Sequence, residues 1–204
     1  MDEVEAVKGV LALQSLGDWW QLSAWSRFIA SRNSAAVWLM GHGGLRLGEL
    51  LGLVVGDVFV GGEPVHTLVV RPEVGKGGRS REIPLDRLTR EAIRRLVGIG
   101  GAMSWEPMRA LICRSLVDAC TMSPRGLQVI VARIGFLACQ RLVTPHMLRH
   151  TYAARLRRRV DLPVVQALLG HACLSSTQVY MGVTADDMRG AVDGLSGGGN
   201  GSRR

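Results

Sequence analysis

Lysine is nearly missing from this chain. Of its 25 basic residues only Lys8 and Lys76 are lysine; the others are arginine. An ammonium group able to donate a proton is therefore confined to two positions, because arginine does not readily lose its own. Tyrosine is almost as scarce, so phenol chemistry has two candidates, Tyr152 and Tyr180. The four cysteines, at 113, 120, 139 and 173, have no C-x-x-C spacing and sit mostly among apolar residues. They read as reduced thiols of a cytosolic protein rather than as disulfides or a zinc site. No apolar run reaches the roughly eighteen residues that a membrane-spanning helix needs, so no membrane partner is expected. The acidic opening Met1-Asp2-Glu3-Val4-Glu5 lacks the basic stretch of a signal or transit peptide. No G-x-x-x-x-G-K-[ST] motif is present, which argues against a P-loop ATPase.

What is present suits one soluble domain. The chain has 204 residues, 47% hydrophobic and 21% charged, enough for a sizeable core. The formal net charge is +8, which favours a polyanionic partner, with nucleic acid as the default.

Read in order, the apolar spacing predicts an amphipathic helix from about Asp2 to Leu16, broken at Gly17-Asp18. A second helix is expected from Trp19 to Arg32, a third from Ala35 to His42 and a fourth from Leu47 to Val54. Between Val58 and Leu85 the period changes to that of strands, with glycine-rich turns, and predicts one small antiparallel sheet. Helices follow over Asp86–Val97, Pro124–Cys139 with Ser123 as cap, Pro145 to about Val160, Leu162–Leu169, Ser175–Tyr180 and Thr184–Val192. The fold class is thus mainly α with a small antiparallel β-sheet (α+β). The catalytic unit is expected to span 1–195. Residues 196–204, rich in Gly and Ser with a basic end, read as a disordered tail.

The chain is organised around Thr144-Pro145-His146-Met147-Leu148-Arg149-His150-Thr151-Tyr152. Thr144 is a cap and Pro145 suits a first turn. His146 and Arg149 are three apart and share a helix face, at the end where backbone N–H groups are unpaired. A cation, an imidazole and a helix N-terminus together suit a phosphate. Upstream, Arg46 follows a Gly-Gly pair and precedes Glu49 by three. The two form either an ordinary surface ion pair, worth little, or a guanidinium that clamps two phosphate oxygens with Glu49 holding it. Lys76 lies in Gly75-Lys76-Gly77-Gly78-Arg79-Ser80-Arg81, a flexible basic turn able to enter a groove. Downstream come Leu168-Leu169-Gly170-His171 and, nine residues after that histidine, Tyr180. His146 and His150 have the i, i+4 spacing of a zinc pair, but Met147 replaces the glutamate of H-E-x-x-H and Arg149 lies between them.

The pattern H-x-L-R-H, then L-G-H, then Tyr180, resembles the catalytic domain of the tyrosine recombinases, or phage-type integrases. The stretch Gly44-Leu45-Arg46-Leu47-Gly48-Glu49-Leu50-Leu51-Gly52-Leu53 resembles that family's first arginine box, and Gly75–Arg79 its lysine-bearing β-turn. The resemblance implies a helical catalytic domain with one small sheet. It implies a clamp of Arg46, Arg149 and His146 on the scissile phosphate, supported by Glu49. His171 would be a further hydrogen-bond donor, Lys76 the proton donor to the leaving 5′ oxygen, and Tyr180 the nucleophile forming a 3′-phosphotyrosine. Arg79, Arg81, Arg155, Arg157 and Arg158 are candidate DNA contacts. His150 and Tyr152 are expected to face elsewhere and serve packing.

No metal or other cofactor is expected, since the arginines carry the charge stabilisation. The expected partners are double-stranded DNA carrying recombination sites, further copies of the chain as a tetramer on that DNA, and accessory DNA-binding proteins. The expected location is the cytoplasm, at the nucleoid. After Tyr180, the segment from Thr184 is too short to stand alone and must dock on its own domain or on a neighbour's, and the resemblance implies the neighbouring protomer. Three activities remain open from residues alone: strand exchange, strand nicking of the relaxase or topoisomerase kind, and DNA-binding regulation on the same fold.

Overall fold

The computed structural model describes residues 23–71, 80–100, 106–114, 120–170 and 184–196. The expected helices over Asp2–Leu16 and Ser175–Tyr180, and the basic tail, lie outside these residues.

Helix α1 (Ala24–Gly41) runs through the middle of the molecule. Ser23 caps it, its Oγ accepting the Ser26 N–H at 3.1 Å. The break expected before Ala35 does not occur. Phe28, Ala35, Leu39 and Met40 are fully buried along one continuous face, and that packing outweighs the weak preference of Ser34 for a helix start. Its principal neighbour is α4 (Arg87–Gly100), which crosses the same core.

After the Gly43-Gly44 turn, α2 (Leu47–Leu51) is shorter than expected and stops at Gly52. Val54 leaves the helix to bridge Ala110, and a single turn, α3 (Val55–Val58), follows. The strand region forms two small sheets rather than one. Strands β1 (Phe59–Val60) and β2 (Glu63–Pro64) make a hairpin across Gly61-Gly62. Strands β3 (Thr67–Val70) and β4 (Arg81–Pro84) pair antiparallel, from Thr67 opposite Pro84 to Val70 opposite Arg81. Leu68 and Val70 point into the core and Val69 outward, as a pleat requires.

Helices α5 (Pro124–Cys139) and α6 (Pro145–Arg157) start where their caps and prolines place them. Ser123 Oγ accepts the Gly126 N–H at 3.1 Å, and Thr144 Oγ1 accepts the Met147 N–H at 3.2 Å. Helix α7 (Leu162–Leu169) ends on Gly170, whose φ of 60° is left-handed. Helix α8 (Ala185–Ser196) opens on a reciprocal cap: Thr184 N–H donates to Asp187 Oδ2 at 2.8 Å, and Asp187 N–H to Thr184 Oγ1 at 3.1 Å.

The core has two parts. The larger gathers α1, α2, β3, β4, α4 and α5. The smaller joins Tyr152 and Leu156 of α6 to Leu168 and Leu169 of α7 and to Ala191, Val192 and Leu195 of α8. In the single chain, helix α8 therefore docks on its own domain. Its apolar residues find a ready surface between α6 and α7, which a twelve-residue helix standing alone could not supply. Among the described residues, no helix is long and apolar enough to cross a membrane.

Candidate active site

The site is built on the turn after α1. Gly44 has φ of +62°, and a Cβ there would lie 2.4 Å from Tyr152 Cδ1. Only glycine fits, and the Tyr152 ring lies directly against its backbone. The Gly44 carbonyl accepts a hydrogen bond from Arg149 Nη1. Arg149 Nη2 donates to the Leu169 carbonyl at 2.6 Å. Both guanidinium nitrogens of Arg149 thus bond to backbone carbonyls.

Arg46 reaches the same helix end, where its Nη2 donates to the Gly170 carbonyl at 3.4 Å. The last carbonyls of α7 form the negative end of its dipole, so they suit two cations. Arg46 Nη1 also donates to Glu49 Oε1 at 2.7 Å, while its backbone N–H donates to Oε2 at 2.7 Å.

Glu49 is only 1% exposed and serves a second arginine. Arg81 forks onto it, Nη1 to Oε1 at 2.6 Å and Nη2 to Oε2 at 2.7 Å. Arg81, expected as a DNA contact, is instead engaged inward. It passes so close to Gly170 that a Cβ there would meet Arg81 Cδ at 2.7 Å. A signal for this was in the sequence: Arg81 and Ile83 are two apart on one strand, so they share the inward face.

Three guanidinium groups thus surround one carboxylate, which leaves a local excess of positive charge. Burial alone would raise the Glu49 carboxyl. The Arg81 fork, the Arg46 N–H and the charge of Arg81 outweigh it and hold the group at about 2. Arg149 moves the other way. Burial, then the positive charges of Arg46 and Arg81, lower it to about 10. The charged form of Arg149 is therefore under electrostatic strain, which an incoming anion would relieve.

Arg46, His146 and Arg149 line one open groove of about 930 Å³ between the Leu45–Gly48 stretch, α5 and the start of α6. His146 is exposed. His150, expected to face elsewhere, lies beside it one turn on, with the two Nε2 atoms 2.7 Å apart. Arg149 turns inward from the same helix.

Arg155 also departs from the expected DNA-facing role. Its Nη1 lies 3.1 Å from His42 Nε2, and its Nη2 donates to the Leu195 carbonyl at 3.1 Å. His42 Nδ1 in turn meets Asp86, which accepts the Thr89 N–H at 2.7 Å as the cap of α4. The sequence reading missed His42 and Asp86, whose partners are far apart along the chain. Arg157 and Arg158 are exposed on the last turn of α6 and just beyond it, open to a phosphate backbone.

Tyr152 is fully buried. Among the described residues its hydroxyl has no hydrogen-bond partner. Burial pushes it well above the usual phenol range. It cannot meet a phosphate, which leaves Tyr180 as the chain's other phenol. Tyr180, His171, Lys76 and Arg79 lie outside the described residues. Among the described residues, no group of three or more His, Cys, Asp or Glu side chains could hold a metal ion.

Comparison with known proteins decides the family. The sequence profile of the phage integrase family matches residues 21–186. The chain belongs to the phage integrase family. It is 37% identical over 157 residues to tyrosine recombinase XerC of Pseudomonas putida strain W619, covering 75% of this chain and 48% of that protein. It is 34% identical over 168 residues to XerC of Methylobacterium sp. strain 4-46, covering 81% and 50%. The chain therefore spans about half the length of the curated relatives it matches. Among solved structures, that of XerA recombinase superposes with a TM-score of 0.59 at 26% identity, covering 83% of this chain and 62% of that one. The fold is also that of XerH site-specific recombinase bound to difH substrate, with a TM-score of 0.61 at 23% identity.

Proposed function

We propose that this chain is the catalytic unit of a site-specific DNA recombinase that cleaves and rejoins DNA through a 3′-phosphotyrosine. The observation that carries this reading is the pair Arg46 and Arg149, held by fixed carbonyls at the wall of an open groove. Such donors need no rearrangement when charge develops on a phosphate, which is what makes preorganised groups effective.

Tyr180 Oη, having given its proton to solvent, attacks the scissile phosphorus as a phenolate, and the bond from phosphorus to O5′ breaks. Lys76 gives its proton to the departing oxygen. Arg46 and Arg149 bind the nonbridging oxygens, with His146 and His171 as further donors. Glu49 and Arg81 hold Arg46 in place. The phosphotyrosine keeps the energy of the phosphodiester, so a 5′-hydroxyl can reverse the step without ATP. Arg79, Arg157 and Arg158 contact neighbouring phosphates. The catalytic unit comprises residues 1–195, with 196–204 as a basic tail.

The DNA is duplex carrying paired sites, and the chain works there as a multimer, a tetramer on two sites, with accessory DNA-binding proteins where a site demands them. The protein acts in the cytoplasm at the nucleoid. Because α8 packs in cis in the single chain, any exchange between protomers must first open the contacts around Leu195.

A pool of random duplexes carrying a single nick tests this reading whatever the sequence of the site. Strands that become covalently linked to the protein are recovered under denaturing conditions and sequenced. Linkage through a 3′ phosphate, in EDTA as in its absence, supports the proposal. DNA binding with no covalent product supports a regulator instead.

A further inference from the structure

We infer that His146 and His150 together form a two-imidazole chelate for a borderline divalent cation, Ni(II) or Cu(II) ahead of Zn(II). The two residues stand one turn apart on α6, both exposed, with Nε2 atoms 2.7 Å apart and ring planes at 77°. The same face of a helix and the same spacing carry two of the ligands in helical zinc sites.

The ligand type orders the metals. With metal–nitrogen bonds of about 2.0–2.1 Å, two imidazoles at a right angle place their nitrogens about 2.9 Å apart, and at a tetrahedral angle about 3.4 Å. The observed pair reaches either geometry by small rotations of two exposed rings. Cis positions of a tetragonal sphere belong to Cu(II) and Ni(II), and the ordinary order of affinities places Cu(II) above Zn(II) as well. Solvent on the exposed side completes the sphere.

Arg149, between the two histidines in sequence, is less of an obstacle than its position suggests. Its guanidinium turns inward, where it donates to the Gly44 and Leu169 carbonyls. Arg125, across the groove that His146 lines, remains a repulsive neighbour and weakens the site.

The chelate has a consequence that rests on the proposed function. A metal bound to His146 removes that imidazole from the scissile phosphate and places a hydrated cation in front of Arg46 and Arg149. Cleavage should then be inhibited by the metal and restored by a chelator, although the reaction itself uses none.

Ni(II) is the probe, because thiols do not reduce it. Cys120 is exposed, so the untagged full chain is studied as Cys120→Ser. Calorimetric titration with Ni(II) should show one site, weakened at least tenfold in His150→Ala and in His146→Ala. Circular dichroism checks that both variants remain folded. Equal Ni(II) affinity in the parent and in either folded variant overturns the chelate. On nicked DNA, Ni(II) should slow covalent linkage in the parent and not in His150→Ala, each rate being taken relative to the same protein without metal. Binding that both variants lose, with cleavage insensitive to Ni(II), supports the chelate and removes His146 from the phosphate site.

Discussion

Glu49 is the residue on which the site's electrostatics turn. It is buried and neutralises part of the charge of two arginines. Its carboxyl is held at about 2 against an ordinary 4.5. A depressed carboxyl contributes stability above its unfolded value, and that contribution is lost as pH falls through the folded one. The window is therefore about 4.5 down to 2, and the amount on the order of 3 kcal/mol. Glu49→Gln has no such titration. Urea unfolding at pH 6 and pH 3 should show the parent losing more stability than the variant over that interval. Equal losses would mean that the partners of Glu49 do not stabilise its charged form. In the proposed reaction the arginines themselves act on catalysis. Arg46→Ala and Arg149→Ala should each slow single-turnover cleavage by 10²–10³, the effect of losing one preorganised donor to a developing anion. Arg46→Lys should recover little, because a single ammonium cannot reproduce the fork that meets Glu49 and a phosphate together. Cleavage by Arg46→Lys near the parent rate would show that only charge matters there.

At the level of elements, the turn 43–46 and helices α6 and α7 form one assembly. Tyr152 supports Gly44, Gly44 holds Arg149, and the end of α7 receives both Arg46 and Arg149. Tyr152→Phe removes a buried hydroxyl that has no partner among the described residues. Thermal unfolding should show it as stable as the parent or slightly more so, since nothing hydrogen-bonded is lost. A marked loss of stability would reveal a partner for that hydroxyl. Gly44→Ala meets both the positive φ and the ring. It should cost more than 1 kcal/mol, roughly, and slow cleavage by shifting the carbonyl under Arg149.

Much of this was legible in the sequence where the signal is local. Ser123, Thr144 and their following prolines marked the starts of α5 and α6, and Gly170 marked the end of α7. The spacing of Arg46 and Glu49 suggested their contact. What could not be read locally depends on partners far along the chain. Ser34 looks like a helix start until Phe28 and Ala35 are seen on one buried face. Arg81 looks like a phosphate contact until Glu49 is found beneath it. Arg155 looks solvated until α8 brings the Leu195 carbonyl to it.

At the scale of the whole molecule, the excess of positive charge and the cis-docked α8 set the remaining expectations. Ending the chain before Thr184 would expose Tyr152, Leu156, Leu168 and Leu169, which α8 covers. The truncated chain should unfold at lower temperature than the full one, by several degrees for each kcal/mol lost. An unchanged melting temperature would mean that α8 does not hold the second core together. The central claim is that this fold delivers Tyr180, and not Tyr152, to a phosphate clamped by Arg46 and Arg149. The most direct test is covalent linkage to nicked DNA, read by denaturing electrophoresis for the parent, Tyr152→Phe and Tyr180→Phe. The account predicts the adduct with the parent and Tyr152→Phe, and none with Tyr180→Phe, which still retards DNA in a native gel. An adduct formed by Tyr180→Phe, or its loss in a folded Tyr152→Phe, would contradict it.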